Sequence, residues 1–310
     1  MRRPLAIAAF AIPAALSVCM WAEGAAPASK PHAQSSSARF AASRAFEHVR
    51  QLTAIGPRPS GSPAIAETRR YISTQMAAIG LTPIEQPFDA ATPLGTVHMV
   101  NLIAHLPGAT RERIVIGGHY DTKLYRQFRF VGANDGGSST AMLIELARAL
   151  KNRQNAFTLE FVFFDGEEAT LPDWSGDDNT YGSRHYVEDA KRTGALKDLR
   201  AMLLVEMVGD RDLTIRREER STSWLNDIIW TSAAKLGHTD VFVSQSTSIE
   251  DDHLAFLHAG VPSADLIDLE YPAWHTAEDT LDKVSARSLE VVGDVMIDAL
   301  PAIEARLKRP

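Results

Sequence analysis

Five short, dense apolar runs, at residues 100–106, 114–116, 159–164, 202–208 and 264–269, constrain this chain more than any other feature. A strand with one wet face alternates apolar and polar residues. Runs that are apolar on both parities suit strands buried on both sides of a sheet. Segments of helical spacing lie before and between them, at residues 41–53, 64–79, 139–150, 183–192, 224–236 and 285–303. Strands that alternate with helices imply a three-layer α/β/α domain with a mixed, largely parallel central sheet. Neither an internal repeat nor a second composition regime divides the 310 residues, so one domain is expected over residues 39–310. Gly56-Pro57-Arg58-Pro59-Ser60-Gly61 reads as a loop between the first two helices.

The N-terminus has a different character. Arg2-Arg3 precede an apolar run and then the small residues Ala22, Gly24, Ala25 and Ala26, the pattern of a secretory signal peptide. Pro13 and Ser17 interrupt that run, which is shorter than the roughly 20 residues a membrane span needs. Residues 1–24 are therefore expected to be a signal peptide and 25–38 a polar linker, which leaves a secreted or periplasmic protein with no stable membrane insertion. Leu16-Ser17-Val18-Cys19 resembles a lipoprotein box, although Val18 is large for the position before the cysteine. Cys19 is the only cysteine, so a chain cut after it has no disulfides, thiolate nucleophile or sulfur ligands. The net charge of -7 and the lack of a basic stripe exclude a nucleic-acid partner, and an acidic surface favours neutral or cationic substrates. A monomer is the default expectation.

Chemistry-bearing residues stand at the ends of the apolar runs, where open α/β sheets place their working groups. Gly117-Gly118-His119-Tyr120-Asp121 follows the second run, Asp165-Gly166-Glu167-Glu168 the third, and Trp274-His275-Thr276 comes soon after the last. Gly132-Ala133-Asn134-Asp135-Gly136-Gly137 leads into a helix, and Glu206 lies within the fourth run. Neighbouring strand ends converge on one cleft, where several carboxylates repel one another unless a cation lies between them. Histidine with carboxylates and no sulfur suits zinc. Of the adjacent Glu167 and Glu168, one can bind the metal while its neighbour moves protons beside it.

With these motifs the chain resembles the zinc aminopeptidase superfamily, and within it the animal-type glutaminyl-peptide cyclotransferases (glutaminyl cyclases). The segments that carry the resemblance are residues 118–123, 163–169, 174–175, 181–185, 250–253, 260–262 and 274–276, with Asp279. The resemblance implies one zinc ion per chain on Asp135, Glu168 and His275, with Glu167 as general acid/base. It also implies that Glu206 and Asp251 belong to a hydrogen-bond network around that base, and that Trp174 and Trp274 flank the substrate. The implied reaction converts the N-terminal glutamine of peptides or proteins to pyroglutamate and releases ammonia.

A two-zinc aminopeptidase is the rival reading, because that family also uses His119, Asp135 and an acidic residue at 206. The cyclases carry Asp where this chain has Glu206, and the extra methylene changes the reach of that carboxylate: either the network is readjusted, or Glu206 reaches a second metal. A non-catalytic binding domain would be expected to lose ligands or the base, and all are present. Trp224 and Trp230, at helical spacing, are expected in the core. His105, His185, His238, His253 and His258 are expected to be structural or solvated, with His253 the nearest to the site.

Overall fold

The second, third and fourth apolar runs become strands whose alternate residues feed two separate cores. Val115, Val162, Phe164, Met202 and Leu204 face one side, and Ile114, Ile116, Phe161, Phe163, Leu203 and Val205 the other. This explains why the runs are apolar on both parities. The computed structural model describes residues 39–309, together with Ala9 and Ala11. The described residues 39–309 form one compact unit. Apart from Ala9 and Ala11, the expected signal peptide and linker lie outside the described residues.

Eight strands occur among the described residues: β1 (Ile84–Thr92), β2 (Gly95–Leu106), β3 (Arg113–His119), β4 (Thr158–Phe164), β5 (Leu199–Glu206), β6 (Ile215–Glu218), β7 (Phe242–Thr247) and β8 (Ser263–Ile267). Six of them form the main sheet in the order β1-β2-β4-β3-β5-β8, while β6 and β7 pair separately. The pairings β1–β2 and β2–β4 are antiparallel, and β4–β3, β3–β5 and β5–β8 are parallel. The sheet is therefore mixed and largely parallel, as the sequence implies.

The helices are α1 (Ala42–Ile55), α2 (Pro63–Ala78), α3 (Gly137–Leu150), α4 (Tyr181–Thr193), α5 (Ser223–Leu236), the single turn and a half of α6 (His253–His258), and α7 (Ala286–Leu307). The larger core packs α1, α2, α3, α5 and α7 on one face of the sheet, and the smaller core packs α4 and α6 on the other. Trp230 is buried in the larger core with its indole N–H donated to the Val243 carbonyl, and Trp224 is half-buried against the same core. No helix among the described residues is long and apolar enough to cross a membrane.

Four elements escape the sequence reading. β1 is mostly exposed and carries Pro87, which an edge strand tolerates and a central one does not. β6, β7 and α6 are too short for periodicity to register.

The loop between α1 and α2 reaches under the ends of the central strands. Arg58, fully buried, donates from Nε to the Tyr120 carbonyl at 2.8 Å, from Nη1 to Val131 at 2.6 Å and from Nη2 to Gly132 at 2.9 Å. Burial pulls its guanidinium down to about 10, against the opposing pull of Asp135 and Asp279. One side chain thus satisfies three carbonyls of the connection between β3 and α3. Arg58→Met would leave them unpaired at about 1–3 kcal/mol each. The expected result is a fall in melting temperature of roughly 5–15 °C by circular dichroism. A variant that melts with the wild type would show that these bonds contribute nothing net.

Candidate metal centre

Each side chain of the cleft is aimed by a local device. His119 is the last residue of β3 and Glu206 the last of β5. Asp135 precedes α3 in a turn closed by Gly136, at φ 68°, where a Cβ would lie 2.5 Å from the Asp121 carbonyl oxygen. The Asp279 carboxylate accepts from the backbone N–H groups of Asn134 and Asp135 at 2.8 and 3.1 Å, and from the Tyr271 hydroxyl. After β4 the chain turns at Gly166, at φ 72°, against the Met99 sulfur. The Asp121 carboxylate then accepts from the N–H groups of Glu167 and Glu168. His275 itself is left-handed at φ 56°, with the Trp274 ring stacked on it at 4.4 Å and Tyr125 and Phe130 edge-on.

Two groups of ligand-type atoms share Asp135. In one, Asp135, Glu168 and His275 offer atoms all within 4.8 Å of one another, and His275 Nε2 lies 3.4 Å from Asp135 Oδ2 and 3.2 Å from Glu168 Oε1. In the other, His119 Nε2 lies 3.3 Å from Asp135 Oδ1 and 3.1 Å from Glu206 Oε1. The groups differ in how far the protein satisfies them. Glu206 Oε2 accepts from the Ser139 hydroxyl at 2.6 Å, and His119 Nδ1 faces Asp121 at 3.3 Å. By contrast, Asp135 Oδ2 and Glu168 Oε2 are buried without a hydrogen-bond partner among the described residues. Lys123, itself buried, comes no nearer to Glu168 than 3.8 Å. Orphaned buried carboxylate oxygens beside an imidazole are what a divalent cation resolves, and two carboxylates with one histidine fit zinc with an open fourth position.

Glu167 is buried beside this group, with Oε2 3.8 Å from His119 Nδ1. Burial pushes its carboxyl well above the ordinary carboxylate range; His119 opposes that shift, and Asp251 and Glu168 add to it. Asp251 is pushed up to about 7 by burial and by Glu206. Burial alone would lower His119, but the facing Glu206 and Glu167 raise it.

All eight residues proposed from the sequence line one cavity of about 290 Å³: Asp135, Glu167, Glu168, Trp174, Glu206, Asp251, Trp274 and His275. Met207, Ile249, Ile267 and Leu269 make its apolar wall. The Trp174 indole N–H is buried and meets no acceptor among the described residues, which leaves it free to donate to a ligand. Trp274 stands 42% exposed at the mouth. Glu206 and Glu167 are joined through His119, and the Asp251 carboxylate accepts from its neighbour Asp252 N–H.

The cyclase reading gave His119 no role of its own, and only the aminopeptidase alternative used it, yet it faces Asp135, Glu167 and Glu206. Asp121, quoted there only as part of a motif, orients both glutamates. Two of the remaining histidines do have charged partners: His105 lies 2.6 Å from Glu160, and the buried His253 sits between Glu218 at 3.2 Å and Asp265 at 3.5 Å.

Comparison with known proteins adds lineage to this geometry. Residues 101–300 match the model of Peptidase family M28. A glutaminyl-peptide cyclotransferase-like protein of Bos taurus is 32% identical, over 72% of this chain and 66% of its own length. A glutaminyl-peptide cyclotransferase of Drosophila melanogaster is 31% identical, over 72% of this chain and 70% of its own. Among solved structures, an Acidobacteriales bacterium glutaminyl cyclase superposes with a TM-score of 0.84 at 40% identity, over 90% of this chain and 100% of that one. The chain belongs to peptidase family M28, among its relatives of the glutaminyl-peptide cyclotransferase kind.

Proposed function

We propose that this protein is a zinc-dependent glutaminyl-peptide cyclotransferase, which closes the N-terminal glutamine of a peptide or protein into pyroglutamate and releases ammonia. The observation that carries this reading is the pairing of a buried proton carrier, Glu167, with the unsatisfied Asp135–Glu168–His275 group in a small apolar-walled cavity. Asp135, Glu168 and His275 would hold one zinc ion. When bound, it supplies a Lewis acid next to the substrate's γ-carboxamide.

The chain's own residues do the rest. Glu167 takes a proton from the α-amine as its nitrogen bonds to the γ-carboxamide carbon (Cδ). It then returns that proton to the departing amide nitrogen as the old C–N bond breaks, so that ammonia leaves and no water is consumed. A base raised above the carboxylate range by burial is suited to both halves of that exchange. Trp174 and Trp274 hold the side chain and keep water out, Glu206 holds Glu167 and its proton through His119, and the charge of Asp251 helps to raise Glu167. Cleavage of a signal peptide near residue 24 would deliver the folded part, residues 39–310, to the periplasm or the exterior as a monomer.

The second group, His119–Asp135–Glu206, favours the two-zinc aminopeptidase as the alternative reading. Its inner atoms His119 Nε2 and Glu206 Oε1 already face each other at 3.1 Å, which supports a single metal. Metal analysis with a glutaminyl dipeptide separates the two: one zinc per chain with ammonia release is expected, whereas two zincs with a freed amino acid would replace this reading. Glu167→Gln should keep its zinc and lose roughly 10²–10⁴-fold in kcat. Loss of zinc in that variant would mean that Glu167 and Glu168 have exchanged roles. Trp174→Phe, which keeps the ring bulk and removes the donor, should raise KM by about tenfold, the loss of one hydrogen bond of about 1.4 kcal/mol. An unchanged KM would show that this N–H does not touch substrate.

A further inference from the structure

We propose that Glu250 selects substrates by the charge of the residue that follows the N-terminal glutamine, acting as the inner half of a Glu250–Arg220 pair at the cavity mouth. The inference rests on the cyclase reading above and adds a substrate preference to it. The cavity is lined by six carboxylates and by no lysine or arginine. Five of them are buried, whereas the Glu250 side chain is 63% exposed. Asp251, the next residue, is buried, so the chain passes from the floor of the cavity to its rim within one step. The Arg220 guanidinium lies 3.7 Å from Glu250 Oε1, is 44% exposed itself and does not line the cavity. An arriving peptide therefore meets the carboxylate first and the guanidinium behind it.

A cavity of about 290 Å³ is at the small end for ligand sites. It has room for the terminal residue and leaves the second residue at the mouth, between Glu250 and the exposed Trp274. There Glu250 attracts a lysine or arginine side chain and repels an aspartate or glutamate. The charges are solvated, so selection acts on KM and weakens with salt.

A plain surface ion pair that only steadies the 248–251 loop would give a different result, because removing either partner would then do the same thing. The test is kcat/KM of the zinc-loaded full chain for Gln-Lys, Gln-Ala and Gln-Glu, all as C-terminal amides. For the wild type, Gln-Lys should exceed Gln-Glu by about fivefold at low salt, one weak charge pair counted as attraction and again as repulsion. The difference should lie in KM and shrink in roughly 0.5 M salt. Glu250→Gln should bring that ratio close to one, and Arg220→Gln should widen it. A ratio that Glu250→Gln leaves unchanged, or two variants that shift it in the same direction, overturns the inference while Gln-Ala cyclisation keeps the cyclase reading intact. If the wild type cyclises none of the three peptides, the cyclase reading fails and takes this inference with it.

Discussion

Carboxylates brought within 4.8 Å of one another inside a protein repel by about 4 kcal/mol per pair, and Asp135 enters such a relation twice, with Glu168 and with Glu206. Two such pairs would consume much of the roughly 5–15 kcal/mol by which a domain is stable. The fold answers first with dipoles and protons. Asp279 and Asp121, themselves carboxylates, are turned toward backbone N–H groups, so they position Asp135, Glu167 and Glu168 without entering the ligand groups. Arg58 brings a buried positive charge under the same loops, and His119 lies between Glu206, Glu167 and Asp135. What remains uncompensated is concentrated on Asp135 Oδ2 and Glu168 Oε2, facing His275. A cation placed there relieves the larger repulsion, and the supporting shell is arranged so that this is the place left for it.

Much of the sheet was legible because parallel strands covered on both faces cannot hide their pattern. The runs at 114–116, 159–164, 202–208 and 264–269 each fall on a strand of the main sheet, and their polar ends converge as open α/β sheets require. The eight cleft residues were legible for a narrower reason. Apart from the resemblance, the sequence showed only that acids and a histidine would meet, with no means of saying which pair would be left unsatisfied. That depends on Ser139 and Asp121, a serine in a helix and an acid in a loop, whose importance is a matter of distance alone. Glu206 illustrates the limit. Its extra methylene left its destination open in the sequence, and in the structure both its oxygens are engaged, by Ser139 and His119.

His253 and Arg58 were hidden for a different reason. A histidine on a one-and-a-half-turn helix and an arginine in a Gly-Pro loop both carry the composition of surface. Their burial follows from partners far away in the chain: Glu218 and Asp265 for one, the carbonyls of residues 120, 131 and 132 for the other. Periodicity sees neighbours within a turn or a strand pair, and cannot register such contacts.

Backbone strain follows the same outline. Among the described residues, three that are not glycine have positive φ: Thr180 at 46°, Met207 at 45° and His275 at 56°. Each conformation costs an L-residue about 1–2 kcal/mol. All three border the cleft: His275 and Met207 line it, and the Thr180 N–H donates to the Glu167 carbonyl at 2.8 Å. Glycine would relieve the strain at any of them, but at position 275 it would remove a ligand-type nitrogen, and at 207 part of the apolar wall. Strain of this kind persists where the surrounding structure over-determines the backbone, and here what over-determines it is the centre itself. The positions at which the chain departs from its own conformational preferences thus mark the site independently of any acidic residue.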